Sequence, residues 1–410
     1  MEIAAHSRPR TREMTPLLTA LFGLAVGLIA ANLYALQPLI GLVGPSLGLG
    51  VSGATLVSAS LSMGYAAGLF LLVPLSDLLE SRKLIVSTLS CNAAALSVAT
   101  VSRSAASFLT ASFLVGLTSS VIQMLIPVAA ALTPAARRGR AIGNVMMGLM
   151  LGILFARPWG SVVGNAFGWR AVDGVAALAI ATLTVVLALL VPEHRPLLRP
   201  RYSALVRSMW VLFREEPVLR YRAVASALSF GAFTVFWTSV ALRLVQPPFG
   251  LGQHGIAAFA LAGVGGVFTA PLAGRAGDRG YGRPLILAAH ASIVLAAVLA
   301  GLAGTGVGPL GDHWLLGLAV LSLASIVLDV GVVADQTLGR RAILLLRPDA
   351  AGRLNGLFTG SAFVGGGLGA AVAGLAWTHG GWRSTCMLVG ALGLAALLRD
   401  CLDRTWMATR

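Results

Sequence analysis

The sequence predicts an all-α membrane protein of twelve transmembrane helices in two pseudo-symmetric six-helix halves, and three observations carry that expectation. Of 410 residues, 57% are hydrophobic and 11% charged, with a mean hydropathy of +0.85, too few polar side chains to clothe two or three soluble domains. Apolar runs recur along the chain, each close to the roughly 20 residues that a helix needs to cross the hydrocarbon core. The basic residues gather in alternate gaps between those runs.

The runs lie at 17–42, 51–75, 84–101, 106–132, 141–164, 169–191, 223–245, 255–273, 285–304, 314–338, 354–377 and 382–398. The first exceeds the roughly 7 to 15 apolar residues of a signal peptide and lacks a convincing cleavage site, so it is expected to stay as a span. Of the 30 basic residues, 25 fall in the even-numbered gaps and at the two ends, among them Arg8, Arg10, Arg12, Arg137, Arg138, Arg140, Arg347, Arg353, Arg404 and Arg410. The other five are Arg103, Arg157, Arg170, Arg243 and Arg383. This asymmetry places both termini in the cytoplasm and accounts for the net charge of +15 without nucleic acid as a partner. The chain accordingly divides into an N-terminal six-helix half (1–191), a cytoplasmic linker (192–222) and a C-terminal six-helix half (223–410). Four prolines and an amphipathic run at 205–213 suit the linker to lie on the membrane surface.

A shift of 213 residues superposes Gly168-Trp169-Arg170 on Gly381-Trp382-Arg383, Arg140 on Arg353 and Gln123 on Gln336. On the same shift, Gly152, Ala156 and Gly160 of span five fall on Gly365, Gly369 and Ala373 of span eleven. Small residues at every fourth position let helix backbones approach closely in lipid. Parallel repeats with a site between them near the midplane are one architecture of secondary transporters.

The gap after span two reads Val73-Pro74-Leu75-Ser76-Asp77-Leu78-Leu79-Glu80-Ser81-Arg82-Lys83, and its counterpart after span eight runs from Gly274 to Arg283. An acid at a helix end followed by bases suits a latch, which makes Asp77, Arg82, Asp278, Arg279 and Arg283 the expected cytoplasmic gate. These loops resemble the G-x-L-x-D-R-x-G-R-R motif of the major facilitator superfamily. The later copy matches well; in the earlier one Val73 and Glu80 replace the two glycines and Leu78 the arginine. With Asn32-Leu33-Tyr34-Ala35-Leu36-Gln37-Pro38, Gly152-Ile153-Leu154-Phe155-Ala156-Arg157 and Leu328-Asp329-Val330-Gly331, the chain resembles bacterial arabinose-efflux-type sugar and drug permeases. The resemblance implies inward-open and outward-open states and export driven by the proton gradient. The expected setting is the bacterial inner membrane. The expected partners are a small-molecule substrate, protons and the lipid bilayer, and the expected state is a monomer. Asp335, Arg340 and Arg341 depart from the uncharged polar residues that the resemblance would place late in span ten.

A charge inside the bilayer costs about 2.5 to 3.5 kcal/mol on insertion scales, so Asp329, Asp335 and Arg157 require partners, water or a purpose. At helical spacing Ser322, Asp329, Gln336 and Arg340 form a polar stripe on span ten, and Ser112, Gly116, Ser119, Gln123 and Pro127 form one on span four. The repeat relates these spans, so the stripes are expected to face each other across a cavity. Tyr34 and Gln37 share a face of span one. Phe230, Phe233 and Trp237 make an aromatic wall on span seven, and Met146, Met147 and Met150 a soft face on span five, both as readily packing as pocket. The expected substrate pathway is thus Tyr34, Gln37, Gln123, Arg157, Phe233, Trp237, Gln336 and Arg340. Asp329 is the first candidate for proton coupling and Asp335 the second, with static pairing to Arg340 or to a hydroxyl, and local salt bridging, as the alternatives. Arg157 lies in reach of Asp173, so it either binds an anionic or hydroxylated substrate or pins two helices. His290 reads as a lone core imidazole.

No P-loop precedes Lys83, the G-x-G-x-x-G at Gly306, Gly308 and Gly311 follows no strand, and no hydrolase signature occurs. Cys91, Cys386 and Cys401 are widely spaced. No enzyme activity, cofactor or metal is expected. The alternatives to a coupled exporter are an importer, an uncoupled facilitator, or a non-transporting receptor or assembly factor of the same fold.

Overall fold

The computed structural model describes residues 15–192, 201–305, 313–347 and 350–402, and the regular structure among them is helical. The sequence readings of Arg8, Arg10, Arg12, Gly306, Gly308, Gly311, Arg404 and Arg410 lie outside the described residues. Among the described residues, ten helices are long and apolar enough to cross a membrane. Nine of them are spans two to ten: Val51–Asp77, Ser81–Val101, Ala105–Ala131, Arg137–Phe167, Trp169–Leu190, Pro217–Val245, Gln253–Asp278, Gly282–Thr305 and Trp314–Leu344. The tenth, Ala351–Leu402, breaks at Gly380 and Gly381 into spans eleven (351–379) and twelve (382–402). Gly381 takes φ 58°, a backbone that glycine adopts without the strain of a Cβ. Span one is assembled from Pro16–Ala31, a turn, the 3-10 segment Gln37–Leu39 and Ile40–Ser46. The twelve expected crossings are therefore present.

Helices dominate because hydrocarbon offers backbone groups no outside partner. Many hydroxyls inside the spans bond to their own helix: Thr184 Oγ1 donates to Ile180 O at 2.7 Å and Thr118 Oγ1 to Leu114 O at 2.7 Å. Span two ends in a 3-10 segment, Val73–Asp77, and three other spans are interrupted within their length. Span one breaks between Ala31 and Gln37, span four breaks at Ser120, and span eight passes through a 3-10 turn at Leu261–Val264. Irregular backbone at membrane depth persists where protein buries it, and the breaks in spans one and eight adjoin the central cluster described below.

The small-residue ridge of span five packs on span one. A Cβ added at Gly148 or Gly152 would strike the backbone of Gly23 or Gly27, and one at Gly160 would strike Ala35. In the second half Gly365 and Gly369 of span eleven meet the backbone of Ala227 and Gly231 in span seven. Between the halves, spans two and eleven lie side by side, with Met63 seated at Gly367 and Phe70 at Gly360. Near their far ends Ser52 Oγ donates to Gly374 O at 3.1 Å.

The linker helix Tyr202–Glu215 buries Leu205, Met209 and Leu212 and leaves Trp210 exposed. Met209 and Leu212 join Leu219, Ile343, Leu354 and Phe358 in a separate apolar cluster. The Tyr202 hydroxyl donates to Leu71 O at 3.0 Å and Arg353 Nη1 to Ser208 Oγ at 2.9 Å. The amphipathic stripe thus rests on protein from both halves and straps the basic face, where the sequence suggested a tether on the membrane surface.

Candidate functional site

Residues from both halves converge where spans one and eight are broken. The break in span one places Tyr34 in the turn and Gln37 at the start of the 3-10 segment. Arg157 Nε of span five donates to Gln37 Oε1 at 2.9 Å. The guanidinium carbon lies 4.1 Å from the ring centre of Trp237, 5.3 Å from that of Tyr34 and 5.4 Å from that of Phe233. Trp237 Nε1 in turn donates to Asp329 Oδ1 at 2.9 Å. One tryptophan therefore joins a buried cation of the first half to a buried anion of the second.

Arg157 and Asp329 are each 5% exposed, which demands compensation at this depth. Three ring faces around a desolvated guanidinium contribute about 2 kcal/mol or more at such a site, and hydrogen bonds to charged groups add to it. Arg157 Nη2 remains buried without a protein partner, an unused donor inside an aromatic enclosure. Behind Asp329 the 3-10 turn of span eight brings Gly263 so close that a Cβ there would sit 2.9 Å from Asp329 Oδ2 and 3.5 Å from the Trp237 ring. Gly263→Val is expected to leave helical content unchanged and to lower transport about tenfold, the effect of roughly 1.4 kcal/mol on a barrier. Circular dichroism and flux from the same preparation check it.

Toward the basic face a second polar group follows. Gln123 Nε2 donates to the Tyr65 hydroxyl at 3.4 Å, and Asn355 Nδ2 donates to Gln123 Oε1 at 3.4 Å. Arg340 lies within electrostatic reach of Tyr65, its Nε buried without a hydrogen-bond partner. Gln123, Gln336, Arg340 and Asn355 are half-buried. Spans five and eight meet through the outer helix and 3-10 turn of span eight, whereas its inner helix, Gly265–Asp278, packs on spans nine and ten. The opposite face is also bridged by Asn165 and His254, whose side-chain nitrogens lie 3.3 Å apart. In this conformation the halves touch on the face opposite the basic one, while the polar group of Gln123, Gln336, Arg340 and Asn355 toward the basic face stays half-buried.

Several expectations are corrected. Asp329 does not pair with Arg340, because eleven residues place the two about 16 Å apart along the helix; its partner is Trp237. Arg157 does not pair with Asp173, whose Oδ2 is buried without a partner. Asp335 is held by local partners, the alternative to a coupling role: its Oδ1 lies 3.2 Å from His290 Nε2, and Ser229 Oγ donates to its Oδ2. Most of the span-four stripe packs inside the first half. Asn92 Nδ2 donates to Thr118 Oγ1 at 2.8 Å and to Ser119 Oγ at 3.3 Å, and Gly116 rests on Leu61 backbone. Gln123 instead meets Tyr65 and Asn355 toward the basic face, beyond the break at Ser120.

The loops are looser than a latch would require. After span two Lys83, not Arg82, makes an ion pair, with Glu80 at 3.7 Å. Asp77 is exposed, with Arg353 as its nearby cation. Asp278 accepts from Arg341 Nε at 2.9 Å, while Arg279 is exposed and Arg283 half-buried. The Asp278 and Arg341 side chains are 72% and 39% exposed, so Asp278→Asn is expected to change stability by no more than about 0.5 kcal/mol, read as a nearly unchanged unfolding temperature. Tyr65, Asn355 and His290 carried no signal in the sequence beyond being isolated polar residues in apolar runs.

The family model of the Major Facilitator Superfamily matches residues 22–342. The transporter YgaY of Escherichia coli K12 is 34% identical over 388 residues, 94% of this chain and 95% of its own. A transporter of Streptomyces coelicolor is 33% identical over 380 residues, 92% of this chain and 85% of its own. Among solved structures, the nucleoside transporter NupG aligns with a TM-score of 0.75 at 14% identity, covering 93% of this chain and 99% of that one. The peptide transporter POT aligns with a TM-score of 0.72 at 14% identity, covering 96% and 94%. At that identity the structures speak for the fold, and the sequence relatives for the family. The chain belongs to the Major Facilitator Superfamily and is a multi-pass membrane transporter.

Proposed function

We propose that this transporter exports a small organic molecule in exchange for protons by alternating access. The observation that carries the reading is the buried bridge from Arg157 through Trp237 to Asp329, a cation and an anion held on opposite halves. The positive-inside asymmetry makes the basic face cytoplasmic, so substrate enters from within, past the half-buried polar group of Gln123, Arg340 and Asn355. A substrate acceptor oxygen takes the unused Nη2 of Arg157, and its apolar part lies against Tyr34, Phe233 and Trp237. Substrate bound to Arg157 competes with the bridge and loosens it, so the halves can rock toward the outward-open state. There Asp329 takes up a proton from outside as the substrate leaves, and it releases that proton inside after the halves have rocked back, so proton and substrate move in opposite directions. Asp335 is the second candidate for the coupled proton.

Reconstitution in liposomes under an imposed pH gradient tests the reading. The substrate panel covers sugars, amino acids and cationic drugs, with nucleosides and peptides added because fold neighbours carry those names. Substrate-dependent proton movement opposite to substrate flux supports exchange. Flux that ignores the pH gradient replaces exchange with facilitation, and binding without flux under any gradient replaces transport with reception.

A further inference from the structure

Away from the cleft, spans seven, nine, ten and twelve meet around a fully buried charged cluster. His290 of span nine is 0% exposed; its Nε2 lies 3.2 Å from Asp335 Oδ1 of span ten and its Nδ1 lies 2.7 Å from Asp400 Oδ2 of span twelve. Ser229 Oγ of span seven donates to the other Asp335 oxygen at 2.7 Å. The other Asp400 oxygen pairs with Arg222 of span seven. Asp335 and Arg222 are each 1% exposed and Asp400 4%. Among the described residues, the charged groups facing the ring are Asp335 and Asp400, with Arg222 beside both carboxylates. Span eight adds none, because Asp278 is turned to Arg341 and Arg275 is exposed.

A neutral imidazole offers one N–H and one lone pair. Between two carboxylates, such a ring would set its lone pair against an acidic oxygen on one side. A doubly protonated ring instead turns a positively charged N–H edge toward each carboxylate. Loss of that proton would set a lone pair against a buried carboxylate oxygen, an uncompensated polar contact that is costly among apolar helices.

We infer that His290, Asp335 and Asp400 form a proton-binding site in which His290 is held as an imidazolium, and that its bound proton clamps spans nine, ten and twelve together. The site shares no residue with the Arg157 to Asp329 bridge and does not depend on coupling there. Arg222 and Asp400 stand near the basic-face ends of their spans, so the proton exchanges with water on that face.

The test retains His290 as the sole histidine, with His6, His194, His254, His313 and His379 replaced by Gln in the full chain. The protein is labelled with 15N-histidine and placed in nanodiscs, and the ring nitrogen shifts are followed from about pH 5 to pH 9. Two protonated ring nitrogens are expected at neutral pH. One proton is expected to leave at higher pH, together with a fall in unfolding temperature. A ring carrying a single proton across the whole range overturns the site. Asp400→Asn and Asp335→Asn, introduced separately, are each expected to lower the pH at which the ring loses its proton. A titration that neither substitution moves also overturns it, whereas a purely structural polar contact would show no titration at all.

Discussion

Asp329→Asn is expected to abolish uphill transport: under an imposed pH gradient, substrate accumulation should fall to the equilibrium ratio while exchange of labelled for unlabelled substrate continues. The amide keeps an oxygen for Trp237 Nε1, so the 2.9 Å contact and the local packing survive, but the side chain can no longer gain or lose a proton. Substrate binding to Arg157 and the rings is retained, and alternation no longer needs a proton. Trp237→Phe is the companion variant. It keeps an aromatic face beneath the guanidinium, removes the donor to Asp329, and is expected to lower exchange and uphill transport together. Uphill transport that survives Asp329→Asn at full rate would remove this carboxylate from coupling and move the test to Asp335.

Gly152→Leu is expected to prevent recovery of folded protein. Its Cβ would collide with the backbone of Gly27, where no choice of rotamer relieves the overlap. Overpacking of a core by added methylenes costs about 1 to 3 kcal/mol even where side chains can shift, against total stabilities of about 5 to 15 kcal/mol. The control is Gly143→Leu on the same span, where an added Cβ meets nothing within 4 Å. The two variants are compared by yield of monodisperse protein and by unfolding temperature. Equal behaviour of the pair would mean that spans one and five do not touch through their backbones.

Much of the fold was legible because its causes are local. Apolar runs of crossing length, Gly380-Gly381 between spans eleven and twelve, and the recurrent small residues of span five are all visible along the chain, and each has its structural counterpart. The breaks in spans one, four and eight were not legible. Pro38 lies in the interrupted part of span one, but the breaks in spans four and eight carry no proline, and tertiary contacts decide where such helices loosen. Tyr34, Gln37, Arg157, Phe233, Trp237 and Asp329 were each recognisable as unusual in an apolar setting, and the structure brings them together. Their connections were hidden, because Arg157 meets Gln37 across 120 residues and Trp237 meets Asp329 across 92. His290 looked solitary for a related reason. Spans seven and twelve run beyond the apolar stretches read for them, to Pro217 and Leu402, so Arg222 and Asp400 are interior residues and not loop charges.

The glycine contacts divide the molecule mechanically. Inside each half, main chain lies on main chain, at Gly148 and Gly152 against span one and at Gly365 and Gly369 against span seven; neither helix can slide without its peptide groups colliding. Across the halves, main chain meets main chain where Gly374 lies on Ser52, but toward the basic face the flexible thioether of Met63 and the ring of Phe70 occupy notches at Gly367 and Gly360, and a side chain can leave a notch by changing rotamer. Deformation therefore concentrates at the basic-face part of the line between spans two and eleven, and the two bundles behave as stiff levers hinged near Ser52 and Gly374.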